Sequence, residues 1–98
     1  MTKIEEKVKK INCLAECLRV AGEGSRIKML CALFSRKKVC VSDMAKELDM
    51  SVAITSHHFK ELTKAGLVDC ERSGKEVCYF VAKTPLVSDL KRFICRHK

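Results

Sequence analysis

A helical segment that runs directly into a β-hairpin constrains the fold more than any other part of this chain. Ser51 precedes residues 52–65, whose apolar side chains recur at helical spacing while the other faces carry small polar and basic groups. Two β-capable runs follow, at 67–71 and 76–82, and Arg72-Ser-Gly-Lys75 joins them in a tight turn for which glycine supplies the special backbone angle. A helix followed by a hairpin with a basic tip is typical of proteins that read DNA.

Helical patterns also lie on either side of this unit. An apolar stripe of period 3.6 predicts a first helix over 4–21. A second helix follows, and the basic cluster Arg36-Lys-Lys38 ends its segment. After a β-capable run at 39–41, Ser42 is expected to N-cap a third helix over 43–48. A short turn then separates this helix from the one that Ser51 caps, which is the spacing of a helix-turn-helix.

The C-terminal segment predicts one more helix. Thr84 is placed as its N-cap, and Pro85 follows at the first helical position, where its missing N–H costs nothing. The expected order is therefore α-α-β-α-α-β-β-α, a mainly α (α+β) winged helix-turn-helix. Because 98 residues suit one compact core, residues 1–98 are expected to form a single DNA-binding domain.

Charge and hydropathy restrict the partners. The formal net charge is +8, so the chain should associate with polyanions by counterion release, although a solvated basic surface is the alternative. No apolar run reaches the roughly 18 residues of a membrane span, and the charged N-terminus lacks the apolar core of a signal peptide. A cytoplasmic protein without a membrane partner is expected.

The first and last helices carry apolar stripes that the small central core does not need. A second copy of the chain is the expected partner, so that a homodimer forms through these two helices. Two-fold pairing would place the two recognition helices one DNA turn, about 34 Å, apart on a pseudo-palindromic site. The alternative is that both helices fold over the core of a single copy.

Two segments give the chain a family resemblance. Residues 18–30, Leu-Arg-Val-Ala-Gly-Glu-Gly-Ser-Arg-Ile-Lys-Met-Leu, and residues 50–62, Met-Ser-Val-Ala-Ile-Thr-Ser-His-His-Phe-Lys-Glu-Leu, resemble the Thr-Arg-Leu-x-Ile-Leu and Leu-Ser-x-Ser-x-Val-Ser-x-His-Leu-x-x-Leu segments of ArsR/SmtB repressors. Ala65-Gly-Leu-Val68 and the Arg-x-Gly-Lys turn agree as well. The resemblance implies a dimeric winged-helix repressor that leaves its operator when an inducer binds.

The recognition helix departs from the family pattern at three positions. Ala53 and Thr55 replace the family's serine and buried valine, and Val52 stands where glutamine is frequent, so that an amide contact to adenine is lost. Base contacts are expected from Ser56 and His57, with Val52 and Ile54 as apolar readers, whereas His58 is expected to pack inside. Contacts to phosphate or the minor groove are expected from Lys60, Lys64, Arg72 and Lys75.

Seven cysteines are the second unusual feature, and in a reducing compartment they are more typical of reactive or metal-binding roles than of a disulfide scaffold. The positions of Cys31 and Cys95 resemble a family subgroup in which these two helices hold a dithiol that oxidises, or becomes bridged by sulfur, and releases DNA. This resemblance implies redox sensing at that pair.

A rival set consists of Cys13, Cys17 and Cys40. The first two are four residues apart and so share one side of a helix, and the third falls where a family metal motif has its first cysteine. Three thiolates suit arsenite or another thiophilic ion as inducer. Cys70 and Cys78 form a third pair, expected to face one another across the hairpin if its loop holds three residues.

The leading interpretation is a repressor released from its operator by thiol modification at Cys31 and Cys95, with no cofactor. An arsenite-responsive or thiophilic-metal-responsive repressor using Cys13, Cys17 and Cys40 is the alternative. An enzyme is not expected, because the histidines lie on a DNA-reading helix or a tail, away from any arrangement of nucleophile, base and oxyanion site.

Overall fold

The fold places a helix-turn-helix beside a three-stranded sheet. A computed structural model describes residues 2–98. The elements are α1 (Lys3–Ala21), α2 (Gly24–Phe34), β1 (Val39–Cys40), α3 (Val41–Glu47), α4 (Val52–Lys64), β2 (Val68–Ser73), β3 (Glu76–Val81) and α5 (Pro85–His97). The strands form one antiparallel sheet in the order β1-β3-β2. This order confirms the mainly helical winged helix-turn-helix expected from the sequence.

Side-chain caps at Thr2, Ser51 and Thr84 explain where α1, α4 and α5 begin. Thr2 and Glu5 form a capping box at the start of α1, each side chain bonding to the other residue's backbone N–H. The hydroxyl of Ser51 accepts from Ile54 N at 3.1 Å, and the hydroxyl of Thr84 accepts from Val87 N at 3.2 Å. The caps predicted for α4 and α5 are therefore confirmed.

The start of α3 differs from the prediction. The helix begins at Val41, its N-cap position is occupied by Cys40, and Ser42 lies in the first turn. The Ser42 hydroxyl donates to Glu76 Oε1 at 2.6 Å instead of capping the helix. The helix starts early because of a tertiary contact: pairing of β1 with β3 holds Cys40 in an extended conformation. The chain then passes from strand into helix without a connecting residue.

The inner face of α4 anchors this helix in the core. Thr55, Phe59 and Leu62 are buried, as the sequence predicted. The Phe59 ring stacks on Tyr79 of β3 with centroids 3.9 Å apart and planes 3° from parallel. Gly66, with φ of 77°, follows the helix in the predicted left-handed conformation. The aromatic stack thus fixes α4 against the sheet that carries the wing.

The loop of the β2–β3 hairpin is one residue shorter than the loop that would pair Cys70 with Cys78. Its last pair is Ser73 with Glu76, so the loop has two residues, and Gly74 supplies the positive φ of 64°. The register places Cys70 opposite Tyr79. The expectation that Cys70 and Cys78 face one another is therefore wrong, because it depended on a loop of three residues.

The apolar stripe of α1 remains on the surface. Ile4, Ile11 and Leu14 are 76%, 56% and 44% exposed, and α1 buries only its last two residues, Val20 and Ala21. The last helix, α5, differs: it buries Val87 and packs other apolar residues against the core while leaving Phe93 exposed. The alternative in which both terminal helices fold over the core of a single copy therefore holds for part of α5, but it does not hold for the stripe of α1. Within residues 2–98, no helix has the length and apolar character needed to cross a membrane.

Candidate nucleic-acid interface and cysteine sites

The helix-turn-helix is built from α3, a four-residue connection and α4. Asp49 in this connection has φ of 53°, a left-handed conformation that aspartate tolerates better than most residues. Thr55 is fully buried, and its hydroxyl donates to Ser51 O at 2.8 Å. Threonine can therefore occupy the family's valine position, because its one polar atom is bonded within the first turn.

The predicted base-reading residues lie on the outer face of α4. Val52 and Ile54 are more than half exposed although they are apolar, His57 is exposed, and Ser56 is half-buried. Lys60 and Lys64 are also exposed. The helix therefore presents apolar and hydrogen-bonding groups near its N-terminus and cations further along, which is the distribution needed to contact base edges and phosphates.

The structure brings the start of α4 and the tip of the wing together. A shallow depression between them is lined by Val52 and Ser56 from the helix and by Lys75 from the hairpin, together with Val41, Ser42, Glu76 and Val77. Three residues that the sequence analysis assigned to DNA thus surround one surface feature. Arg72 lies exposed on the same hairpin, in β2.

The cations of this surface differ in their partners. Lys64 lies 3.8 Å from Glu61 on its own helix. Among residues 2–98, Lys60, Arg72 and Lys75 have no carboxylate within salt-bridge distance. These three cations are therefore available for a polyanion without first breaking an ion pair.

His58 faces inward, as the sequence analysis expected. Its side chain is 13% exposed, and its Nδ1 accepts a hydrogen bond from Arg26 Nε at 3.0 Å. Burial is the main cause that lowers the His58 pKa, and the charges of Arg26 and His57 add to the effect, while Glu23, 3.8 Å away, opposes it. His58 therefore positions α4 against α2 and lies away from the exposed outer face of α4.

The partners of His58 were not identified from the sequence. The Glu23 carboxylate caps α2 by accepting from the backbone N–H of Ser25 and Arg26, and these bonds lower its pKa. Arg26 also donates from Nη1 to Val20 O at 3.2 Å, so that it joins α1, α2 and α4. Glutamate is an infrequent N-cap. The one sequence signal that could have pointed to this network is Arg26, because it matches the arginine of the family's Thr-Arg-Leu segment.

Cys31 and Cys95 lie on two helices that pack against each other, α2 and α5. Cys31 is half-buried and Cys95 is exposed, and both are free thiols in the described part of the chain. The fold thus places the pair on neighbouring helices without joining the two sulfurs.

Cys13 and Cys17 line one surface groove on α1, with Leu14 beside them and Leu86 of α5 on the other side. Cys13 is exposed, whereas the Cys17 thiol donates to Ala65 O, the C-cap residue of α4, at 3.1 Å. The expected shared face of these two thiols is present. Cys17 in addition connects α1 to the end of α4.

Cys40 does not join Cys13 and Cys17 within one chain. It is bonded to Cys78 across β1 and β3, a pairing that depends on strand register and was not anticipated from the sequence. Among residues 2–98, the cluster of three potential metal ligands consists of Cys40, Glu76 and Cys78. The predicted three-thiolate set is therefore not assembled in a single copy.

Comparisons with known proteins agree with this geometry. A family model described as "Bacterial regulatory protein, arsR family" matches residues 23–69. The cadmium resistance transcriptional regulatory protein CadC of Listeria innocua is 37% identical over 70 residues, which cover 71% of this chain and 59% of CadC. A protein of Methanocaldococcus jannaschii described as "Uncharacterized HTH-type transcriptional regulator MJ1325" is 30% identical over 67 residues, covering 68% of this chain and 75% of that protein.

A solved structure shows the same fold. The homodimeric winged helix-turn-helix DNA-binding domain (fragment 1-100) of Mb0332 from Mycobacterium bovis superposes with a TM-score of 0.83, covering 96% of this chain and 83% of that one at 21% identity. The chain spans 59% of the length of CadC. CadC and MJ1325 are named as transcriptional regulators and not as enzymes, in agreement with the expectation from the sequence.

Proposed function

Because the chain belongs to the ArsR family of bacterial regulatory proteins, we propose that it is a homodimeric transcriptional repressor that binds double-stranded operator DNA. The observation that carries this function is the surface formed by the outer face of α4 and the wing tip, which meet around one depression. Its apolar groups, hydrogen-bonding groups and unpaired cations match the base edges and phosphates of a duplex.

Individual contacts follow from position on this surface. Val52, Ile54, Ser56 and His57, near the start of α4, enter the major groove and contact base edges. The cations further along the helix and on the hairpin contact phosphates or the minor groove, namely Lys60, Lys64, Arg72 and Lys75.

Dimerisation is supported by the exposed stripe of α1. Five apolar residues at helical spacing face solvent along this helix, and a second copy would cover them: Ile4, Val8, Ile11, Leu14 and Leu18. Phe93 of α5 is 63% exposed and extends the uncovered apolar surface to the last helix. The similar Mb0332 domain is described as homodimeric.

Release from DNA is assigned to thiol modification at Cys31 and Cys95. Loss of two electrons and two protons to an oxidant joins the two sulfurs directly. A polysulfide can act as both oxidant and sulfur source: one of its sulfane sulfurs enters the bridge, and another takes the two electrons and two protons and leaves as hydrogen sulfide. Either bridge would fix the spacing between α2 and α5. Because Arg26 on α2 holds His58 on α4, a shift of α2 would be transmitted to the recognition helix.

A second candidate is a repressor that responds to arsenite or another thiophilic ion. The groove that holds Cys13 and Cys17 favours it, since two thiolates on one helix face suit such an ion. The relative CadC is named for cadmium resistance. Cys40 would have to reach this groove from another copy, and only after its bond to Cys78 is reduced.

DNA recognition is tested by selecting duplexes from a random pool with the reduced chain. Fluorescence anisotropy then compares a selected duplex with a scrambled one at several salt concentrations. Specific binding should be stronger than binding to the scrambled duplex by a factor of about 1,000 or more and should weaken steeply with salt. Equal affinity for both duplexes, or affinity that salt leaves unchanged, would refute the function.

The inducer is tested on the complex with the selected duplex. Polysulfide or diamide should release the wild type and the Cys70→Ser control, but neither Cys31→Ser nor Cys95→Ser. Intact mass identifies the adduct. If arsenite releases the wild type and fails only with Cys13→Ser or Cys17→Ser, the second candidate replaces the first. Release of Cys31→Ser by polysulfide would exclude the dithiol.

A further inference from the structure

We propose that Cys40, Cys78 and Glu76 form a binding site for a thiophilic divalent cation of the zinc and cadmium class, open only when the Cys40–Cys78 bond is reduced. The site lies within one chain, between β1 and β3, and it is separate from the groove of Cys13 and Cys17. It requires neither DNA nor a second copy, so it stands independently of the proposed repressor function.

Strand geometry brings the three ligands together. Cys40 and Cys78 are direct partners in the antiparallel β1–β3 register. Glu76 lies two residues before Cys78 on β3, and alternate residues of a strand project from the same face. The two sulfurs and a carboxylate oxygen consequently lie within 4.8 Å of one another. Small shifts of side chains would bring all three around one ion.

The donor set selects the class of cation. Two thiolates favour soft or borderline ions over magnesium or calcium, and a carboxylate oxygen is a common further ligand for zinc. Three protein ligands leave a fourth tetrahedral position for water. A divalent ion bound to two thiolates and one carboxylate would leave a local charge of only −1, compared with −3 for the deprotonated ligands alone.

The surroundings suit entry and orientation of an ion. Cys78 is fully buried, Cys40 is half-buried and Glu76 is exposed, so the cluster is open to solvent from the carboxylate side. The Ser42 hydroxyl donates to Glu76 Oε1 at 2.6 Å. This bond orients the carboxylate and leaves its other oxygen free for a metal, as hydrogen bonds from outside the ligand set do at known metal sites.

Oxidation and metal binding exclude each other at this pair. A dithiol reductant transfers two electrons to the Cys40–Cys78 bond, the sulfurs take up two protons, and the reductant closes to its own disulfide. A divalent cation then displaces the two thiol protons as it binds. The site lies beside the depression between α4 and the wing, since Glu76 belongs to the site and also lines that depression, next to its hydrogen-bond partner Ser42.

The test is a titration of the reduced chain with cadmium chloride. The ultraviolet charge-transfer band of cadmium–thiolate bonds measures the binding, and competition with a chromophoric chelator measures the affinity. Cys40→Ser and Cys78→Ala should each lose about one equivalent of bound cadmium. Cys70→Ser, on the adjacent strand, and the double variant Cys13→Ser/Cys17→Ser should keep this equivalent. Glu76→Gln should keep the thiolate band and weaken the affinity by about 10-fold or more.

Circular dichroism establishes whether each variant folds. If replacement of the fully buried Cys78 prevents folding, the variant of the half-buried Cys40 decides the result. Diamide-treated wild type, with Cys40–Cys78 closed, should also lose the equivalent. Unchanged stoichiometry and affinity in Cys40→Ser would overturn the site. So would loss of the same equivalent in Cys13→Ser/Cys17→Ser, because the ion would then belong to the groove on α1.

Discussion

Arg26 donates a hydrogen bond from Nε to Nδ1 of His58 at 3.0 Å, and this bond connects the start of α2 to the inner side of α4. Because Nδ1 is the acceptor, the imidazole is neutral and carries its proton on Nε2. Protonation at Nδ1 would remove the acceptor and place a second cation beside the Arg26 guanidinium.

We expect His58 to make the fold less stable in acid. Its folded-state pKa is lowered below the ordinary value of 6.5, mainly by burial, so the unfolded chain takes up a proton first as the pH falls. The histidine therefore costs no stability above pH 6.5, and the free energy of unfolding decreases as the pH falls below it. Urea denaturation at a series of pH values should show a shallower decrease for His58→Gln than for the wild type.

The matched control for this experiment is His57→Gln, which alters the exposed neighbour on the same helix. It should retain most of the wild-type decrease, since His57 affects His58 only as a minor charge. Parallel pH profiles for His58→Gln and the wild type would show that the buried imidazole is not the group responsible.

A second prediction concerns the aromatic stack between α4 and β3. Phe59 is fully buried against Tyr79, so Phe59→Ala should lower the free energy of unfolding by about 3–5 kcal/mol. Tyr79→Phe keeps the ring and should cost less than about 1.5 kcal/mol. Urea denaturation measures both. A cost below about 1 kcal/mol for Phe59→Ala would mean that the stack does not hold the helix in place.

Local sequence signals were sufficient to predict most of the fold, because helix caps and turns are determined by residues that lie close together in the chain. Ser51, Thr84 and Gly66 act within one helical turn, and each was assigned correctly from residue type and spacing. The three buried residues of α4 followed from helical periodicity in the same way.

Errors arose where an element depends on a distant strand. The start of α3 and the partner of Cys78 are both set by pairing of β1 with β3, residues 38 positions apart in the case of the two cysteines. Two residues of β1 carry no pattern that specifies such a register. The Glu23–Arg26–His58 network was missed for a related reason, since Arg26 and His58 are 32 positions apart.

A third prediction separates base reading from phosphate binding. His57→Ala removes an exposed group near the start of α4 and should lower affinity for a selected duplex by about 10-fold while leaving binding to a scrambled duplex unchanged. Lys75→Ala, at the wing tip, should weaken binding to both duplexes and reduce the salt slope by about one. Fluorescence anisotropy at several salt concentrations measures both effects. Equal losses on the two duplexes for His57→Ala would exclude a base contact by this residue.

The last prediction concerns the uncovered stripe of α1. Ile11 lies in its middle and is 56% exposed, so Ile11→Lys would place a charge inside the proposed dimer interface, where it would have to be desolvated. Sedimentation equilibrium should show a dimer for the wild type and a weakening of its association by about 100-fold or more for Ile11→Lys. Asn12→Lys introduces the same side chain at the next exposed position, about 100° around the helix, and should leave the dimer intact. Because each copy of the proposed dimer would supply one α4 to the DNA, loss of the dimer should also reduce affinity for a two-fold symmetric duplex far more than affinity for a single half-site. An Ile11→Lys protein that remains dimeric would place the contact between copies on another surface.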